Sequence, residues 1–145
     1  MMQITRKHII SSAHRLYDYD GRCERLHGHN YRIEATLSTP QLNRLGMIVD
    51  FAEIKKILFG ALDAVWDHRT LLYTKDPLCA KLAGVLDDDS LCPVPFNPTA
   101  ENMATYLGEE FFPSVIREAG MPEDLRIDKV VVHETDGSSA CWSRD

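Results

Sequence analysis

The segment Cys23–Ser38, CERLHGHNYRIEATLS, decides how the whole chain is read. In its second half Tyr31, Ile33, Ala35 and Leu37 alternate with Arg32, Glu34, Thr36 and Ser38. A period of two marks a strand with one face in a core and the other in water. Thr39-Pro40 ends it, because proline has no N–H for a ladder. The first half sets a thiol and two imidazoles, Cys23, His27 and His29, within seven residues. In extended backbone, residues two apart share a side at roughly 6.5–7 Å, so His27 and His29 converge. Gly28 between them permits close approach of backbone or ligand.

Toward the N-terminus, Gln3 to Ser12 also reads as a strand, and antiparallel pairing with the first would bring His14 beside His27 and His29. Three imidazoles on one face suit Zn²⁺ with a fourth position left for water or substrate. His-x-His alone is a weak signal, and spacing leaves open a closed structural zinc with Cys23 as fourth ligand. With the metal in the open form, a Cys23 thiolate beside it would serve as a base. The connection from Arg15 to Leu26 is long for a hairpin, a common trait of functional loops.

Toward the C-terminus, Asp50 reads as the cap of a helix whose apolar face is Phe51, Ile54, Leu58, Ala61 and Val65. A second helix starts at Thr99 with the stripe Met103, Tyr106, Leu107 and Phe111, and Pro113 is expected to end or kink it. Arg126 to Glu134 and Ser139 to Trp142 read as strands. Between the helices, Leu71 to Pro95 gives little pattern beyond Asp76-Pro77, which would open a short helix. The order predicts an α+β fold: a four-stranded antiparallel sheet with two helices on one face. Oligomerisation would cover its open edges.

At 145 residues and 44% hydrophobic, the chain is expected to form one domain over 1–145. It shows no membrane-length apolar run and no secretory pattern in MMQITRKHII, so a cytoplasmic location is expected. Cys23, Cys79, Cys92 and Cys141 are irregularly spaced, unlike a disulfide framework. A net charge of −6 argues against a general nucleic-acid binder. It leaves room for an anionic small ligand on a local rim of Arg6, Lys7, Arg15, Arg22, Arg25 and Arg32.

Six motifs occur in order: His14 in SSAH, CERLHGH, GMIVDF from Gly46, Asp67-His68-Arg69, PTAEN from Pro98, and His133-Glu134-Thr135. This pattern resembles the 6-pyruvoyltetrahydropterin synthase / 6-carboxytetrahydropterin synthase family over nearly the whole chain. The resemblance implies the tunnelling fold, in which subunits join edge to edge into a barrel. It implies a homohexamer built as a dimer of trimers, with active sites at subunit interfaces. It implies His14, His27 and His29 as zinc ligands, Cys23 as the catalytic thiol, and Asp67 with His68 as an assisting pair. Glu134 would anchor a pterin ring, with Thr99 and Glu101 lining its pocket. The implied substrate is 7,8-dihydroneopterin triphosphate. The three-residue gap between Cys23 and His27 resembles the bacterial carboxy enzymes of the queuosine (7-deazaguanine) pathway. Those release acetaldehyde, triphosphate and 6-carboxy-5,6,7,8-tetrahydropterin. Glu24 also gives E-x-x-HGH, which resembles folate-pathway members that form a 6-hydroxymethyl dihydropterin. The pyruvoyl product and a non-catalytic pterin-binding zinc protein are the further alternatives.

Overall fold

The computed structural model describes residues 1–19 and 24–145. Strands β1 (Gln3–His14) and β2 (His27–Ser38) pair antiparallel along their full length, from Gln3 opposite Ser38 to His14 opposite His27. β2 pairs antiparallel with β5 (Arg126–Thr135), and β5 with β6 (Ser138–Ser143). The alternation read from Tyr31 to Leu37 is the core face: Tyr31, Ile33, Ala35 and Leu37 are all fully buried. Both strands of the central pair run further than their patterns suggest, since His14, His27 and His29 all belong to the ladder.

Two short strands enlarge the expected four-stranded antiparallel sheet. β3 (Thr70–Tyr73) lies parallel to β1, and β4 (Leu91–Val94) lies parallel to β3. The sheet is six-stranded and mixed, in the order β4-β3-β1-β2-β5-β6. Each added strand has only four residues, too few to print a period. Pro93 sits in β4, an edge position where a missing donor is tolerated.

Helix α1 covers 51–66, α-helical over Phe51–Ile54, π-helical over Lys55–Phe59 and α-helical again over Gly60–Trp66. A short α2 spans Pro77–Ala83. Helix α3 covers 100–118 in the same three-part form, with a π turn at Leu107–Phe111 between Ala100–Tyr106 and Phe112–Glu118. The three caps are side-chain oxygens read from the sequence: Asp50 accepts from the Ala52 amide, Asp76 from Leu78 and Thr99 from Asn102.

Each π turn inserts one extra residue and rotates the next turns of the helix onto a new face. In α1 the expected Ala61 and Val65 give way to buried Leu62 and Trp66, while Phe51 is 49% exposed. In α3 Phe112 and Ile116 take the core positions after the wide turn. Pro113 does not end α3. The π turn lies immediately before it, where the proline ring would otherwise press on the preceding carbonyls. Gly120, at φ +66°, closes the helix in the left-handed conformation that favours glycine.

α1 and α3 pack side by side on the β2 core face. Phe59 meets Phe112 with ring centroids 5.6 Å apart, and Trp66 stacks on Tyr106 at 6.0 Å. The end of β1, the start of β2, the end of β5 and the start of α3 all meet at one end of the sheet. There the four strand-borne candidates His14, His27, His29 and Glu134 gather. Among the described residues no helix is long and apolar enough to cross a membrane.

Candidate metal centre

His14 is 1% exposed, and its Nδ1–H donates to the Pro98 carbonyl at 2.7 Å. His27 donates its Nδ1–H to the Arg25 carbonyl at 2.6 Å. With each proton held at Nδ1, both Nε2 atoms carry lone pairs, and they face one another at 3.1 Å. Two acceptors at that distance need a cation or a proton between them. Among the described residues the Nε2 of His29 is buried without a hydrogen-bond partner, 3.4 Å from Glu134 Oε1. The three ligand atoms lie within 4.8 Å of one another. Tetrahedral zinc, at about 2.0–2.1 Å from each nitrogen, sets nitrogens about 3.4 Å apart, so the triad fits the ion with small ring movements.

The electrostatics agree with ligation, which needs neutral imidazoles. Burial lowers the His14 pKa below its ordinary 6.5; the Pro98 carbonyl opposes this, and the neighbouring His27 and His29 reinforce it. Burial likewise lowers His29, opposed by Glu134 and reinforced by His27. The unfolded chain therefore binds protons before the folded one as pH drops through about 6.5. The metal-free protein is expected to keep level stability above that pH and to lose it below, until the folded imidazoles also protonate. Melting temperatures from about pH 7 to about pH 5 check this, and a flat profile would contradict it.

Glu134 shares the core face with Val130 and Val132, which points its carboxylate at the triad. Thr99 caps α3 next to Pro98, whose carbonyl holds His14. Glu101 stands elsewhere: it is exposed and lines a cavity of about 670 Å³ with Thr105 and Ser139–Ser143 of β6. Two residues of helical advance from Thr99 rotate it away from the imidazoles.

Asp67 and His68 form a compact unit on the β1 edge. Asp67 Oδ1 accepts the Ser11 N–H at 2.9 Å, and Oδ2 lies 2.9 Å from His68 Nδ1. The His68 N–H donates to the Ser11 carbonyl at 2.6 Å. Burial raises the Asp67 carboxyl, but the Ser11 amide and His68 outweigh it and hold it below its ordinary value. The backbone of His68 is left-handed at φ +59°, a strained state for a non-glycine residue and common at functional sites. Its side chain is 79% exposed and lines a cleft of about 420 Å³ together with Ser11, Ser12, Ala13, Gly28, His29 and Asn30. The cleft reaches the triad through His29, one of its lining residues. Among the described residues no hydrogen bond or ion pair joins His68 to the triad.

Cys23 lies outside the described residues. Glu24, just after it, is exposed and lines a cavity of about 520 Å³ with Arg15, Tyr17, Arg25 and Leu26. Of the expected basic rim, Lys7, Arg15 and Arg32 have partners within the chain, and Arg22 lies outside the described residues. Arg15 grips buried Asp76, with Nε 2.6 Å from Oδ2. Lys7 lies 3.5 Å from Glu34 on the far face, where His133 also binds Glu34 and Arg32 reaches His133 at 3.3 Å. The partners that orient the triad, the carbonyls of Pro98 and Arg25, went unseen in the sequence because a backbone acceptor has no residue-type signature.

A family model described as 6-pyruvoyl tetrahydropterin synthase matches residues 3–145. A 6-carboxy-5,6,7,8-tetrahydropterin synthase of Rickettsia typhi is 33% identical over 115 residues, 79% of this chain and 83% of that protein. The protein so named in Aquifex aeolicus is 33% identical over 127 residues, 86% of this chain and 77% of its own. The crystal structure of an uncharacterized protein from Wolinella succinogenes superposes with a TM-score of 0.79 at 24% identity, covering 99% of this chain and 98% of that one. A 6-pyruvoyl tetrahydropterin synthase structure from Caenorhabditis elegans gives 0.66 at 25% identity, covering 99% and 96%. With a match over almost every residue, relatives above 30% identity and the same α+β tunnelling fold, this chain belongs to the 6-pyruvoyl tetrahydropterin synthase family.

Proposed function

We propose that the protein is a zinc-dependent 6-carboxy-5,6,7,8-tetrahydropterin synthase acting on 7,8-dihydroneopterin triphosphate and releasing acetaldehyde and triphosphate. The observation that carries this is the triad: three imidazoles, two with tautomers fixed by backbone carbonyls and the third with a buried nitrogen that has no hydrogen-bond partner among the described residues, and a carboxylate beside it. The names of the Rickettsia typhi and Aquifex aeolicus relatives support the choice of product. His14, His27 and His29 hold the metal. Bound zinc supplies Lewis acidity toward substrate oxygens. Glu134 accepts hydrogen bonds from the amino and ring N–H groups of the pterin, as an ionised carboxylate can. Cys23 carries a proton to or from the side-chain carbon. Asp67 holds the His68 ring for a second proton transfer.

No hydrogen bond or ion pair among the described residues joins the pair to its own triad, which supports a role at the metal of a neighbouring copy. The same need supports assembly as a hexamer, a dimer of trimers, with β4 and β6 as the sheet edges left for pairing.

The test is product identification. Zinc-loaded protein with dihydroneopterin triphosphate should yield acetaldehyde and the 6-carboxy pterin by mass. A 6-hydroxymethyl pterin would move the assignment to the folate-type reaction and implicate Glu24, and a 6-pyruvoyl product would move it to the pyruvoyl synthases. Cys23→Ala should keep one zinc per chain and lose about 10²–10⁴-fold in turnover. Loss of zinc in that variant would mark the sulfur as a ligand and contradict the open site.

A further inference from the structure

Asn97 precedes Pro98, the residue whose carbonyl holds His14. Its carboxamide reaches across the fold to a single residue of the loop after β1. Oδ1 accepts the Tyr17 N–H at 2.8 Å, and Nδ2–H donates to the Tyr17 carbonyl at 3.0 Å. A carboxamide presents an acceptor and a donor side by side, so it closes both backbone groups of one residue as a neighbouring strand would. Asn97 is itself anchored: its carbonyl accepts the Thr99 N–H at 2.7 Å and the Asn102 Nδ2–H at 2.9 Å. The dipeptide Asn97-Pro98 therefore grips the span His14–Tyr17 at both ends. One end is the buried imidazole, and the other is Tyr17, three residues along the chain from His14.

That span starts the connection that carries Cys23 and Glu24, whose two stems, at Arg15 to Asp18 and at Glu24 to Leu26, line one cavity. Tyr17 is also met edge-on by Tyr73, with centroids 6.3 Å apart. We propose that Asn97 is a positioning residue: its side chain sets the direction in which the catalytic loop leaves the metal site. The effect on turnover rests on the proposed reaction, whereas the latch itself does not.

The test compares zinc-loaded wild type with Asn97→Ala and Asn97→Asp. In Asn97→Ala the Tyr17 amide should exchange with solvent at least tenfold faster while β1 amides stay protected. kcat should fall at least tenfold, with KM and zinc content held within threefold. Asn97→Asp keeps the acceptor and loses the donor, so it should retain Tyr17 protection and lower kcat at least threefold; it also serves if the alanine variant fails to fold. Unchanged kcat in the folded variants, or loss of zinc in either, would overturn the positioning role. If wild type makes no 6-carboxy pterin, the reaction assignment fails instead. Amide exchange then decides the latch, and unaltered Tyr17 protection in Asn97→Ala would sink it.

Discussion

Replacing His27 with alanine is expected to abolish stoichiometric zinc binding and turnover together. His27 contributes one of three nitrogens, and its Nε2 is the atom that faces His14 at 3.1 Å. Two imidazoles and an exchangeable carboxylate make a poor zinc site compared with three imidazole nitrogens. Changes to the hydrogen-bond partners of metal ligands commonly cost about 10–100-fold in affinity, so losing a ligand should exceed about 100-fold. The metal-free fold should tolerate the change. His27 sits at the first position of β2 at the sheet end, and its removal takes away a contact between two acceptors. Metal analysis after dialysis, a melting curve of the metal-free variant and product assay check the three parts. Full zinc content in a folded variant would refute the ligand assignment, and the reaction scheme with it.

The second large effect is on the fold. Gly108 lies in the π turn of α3, and Trp142 of β6 packs onto it. A β-carbon there would stand 2.0 Å from Trp142 Cε3 and 2.4 Å from Cζ3. Those atoms belong to the body of the indole, so the whole ring must leave. The ring also donates its Nε1–H to Glu109 at 3.0 Å, and that bond would go with it. Helix propensity alone favours alanine over glycine by about 1 kcal/mol. Displacing a large packed aromatic costs about 3 kcal/mol or more, leaving Gly108→Ala destabilised by about 2 kcal/mol. For a chain of this length the melting temperature should fall on the order of 6 °C. A melting point at or above wild type would show that the indole has another place to go.

Gly108 also shows where sequence reasoning stops. As a helix-interior glycine it reads as a weak point to be mended, and only the ring of Trp142, brought in from a strand 34 positions on, reverses the sign. The helix faces shift for a similar reason. Phe51, Ile54, Leu58, Ala61 and Val65 form a good stripe at 3.6 residues per turn, yet a π turn at Lys55–Phe59 hands the core positions to Leu62 and Trp66. β3 and β4 escaped notice because four residues with buried Leu71 and Leu72 carry no alternation.

What the sequence determined by itself was whatever the local repeat of the chain dictates. The alternation of β2, the caps Asp50, Asp76 and Thr99, and the pairing that brings His14 to His27 and His29 all come from backbone periods and side-chain reach. The tertiary structure alone decided which nitrogen His14 and His27 present. That choice depends on carbonyls such as Pro98, 84 positions from His14, and any residue supplies the same carbonyl. It also decided how Asp67 and His68 are held, since their orientation comes from the Ser11 backbone across a strand edge.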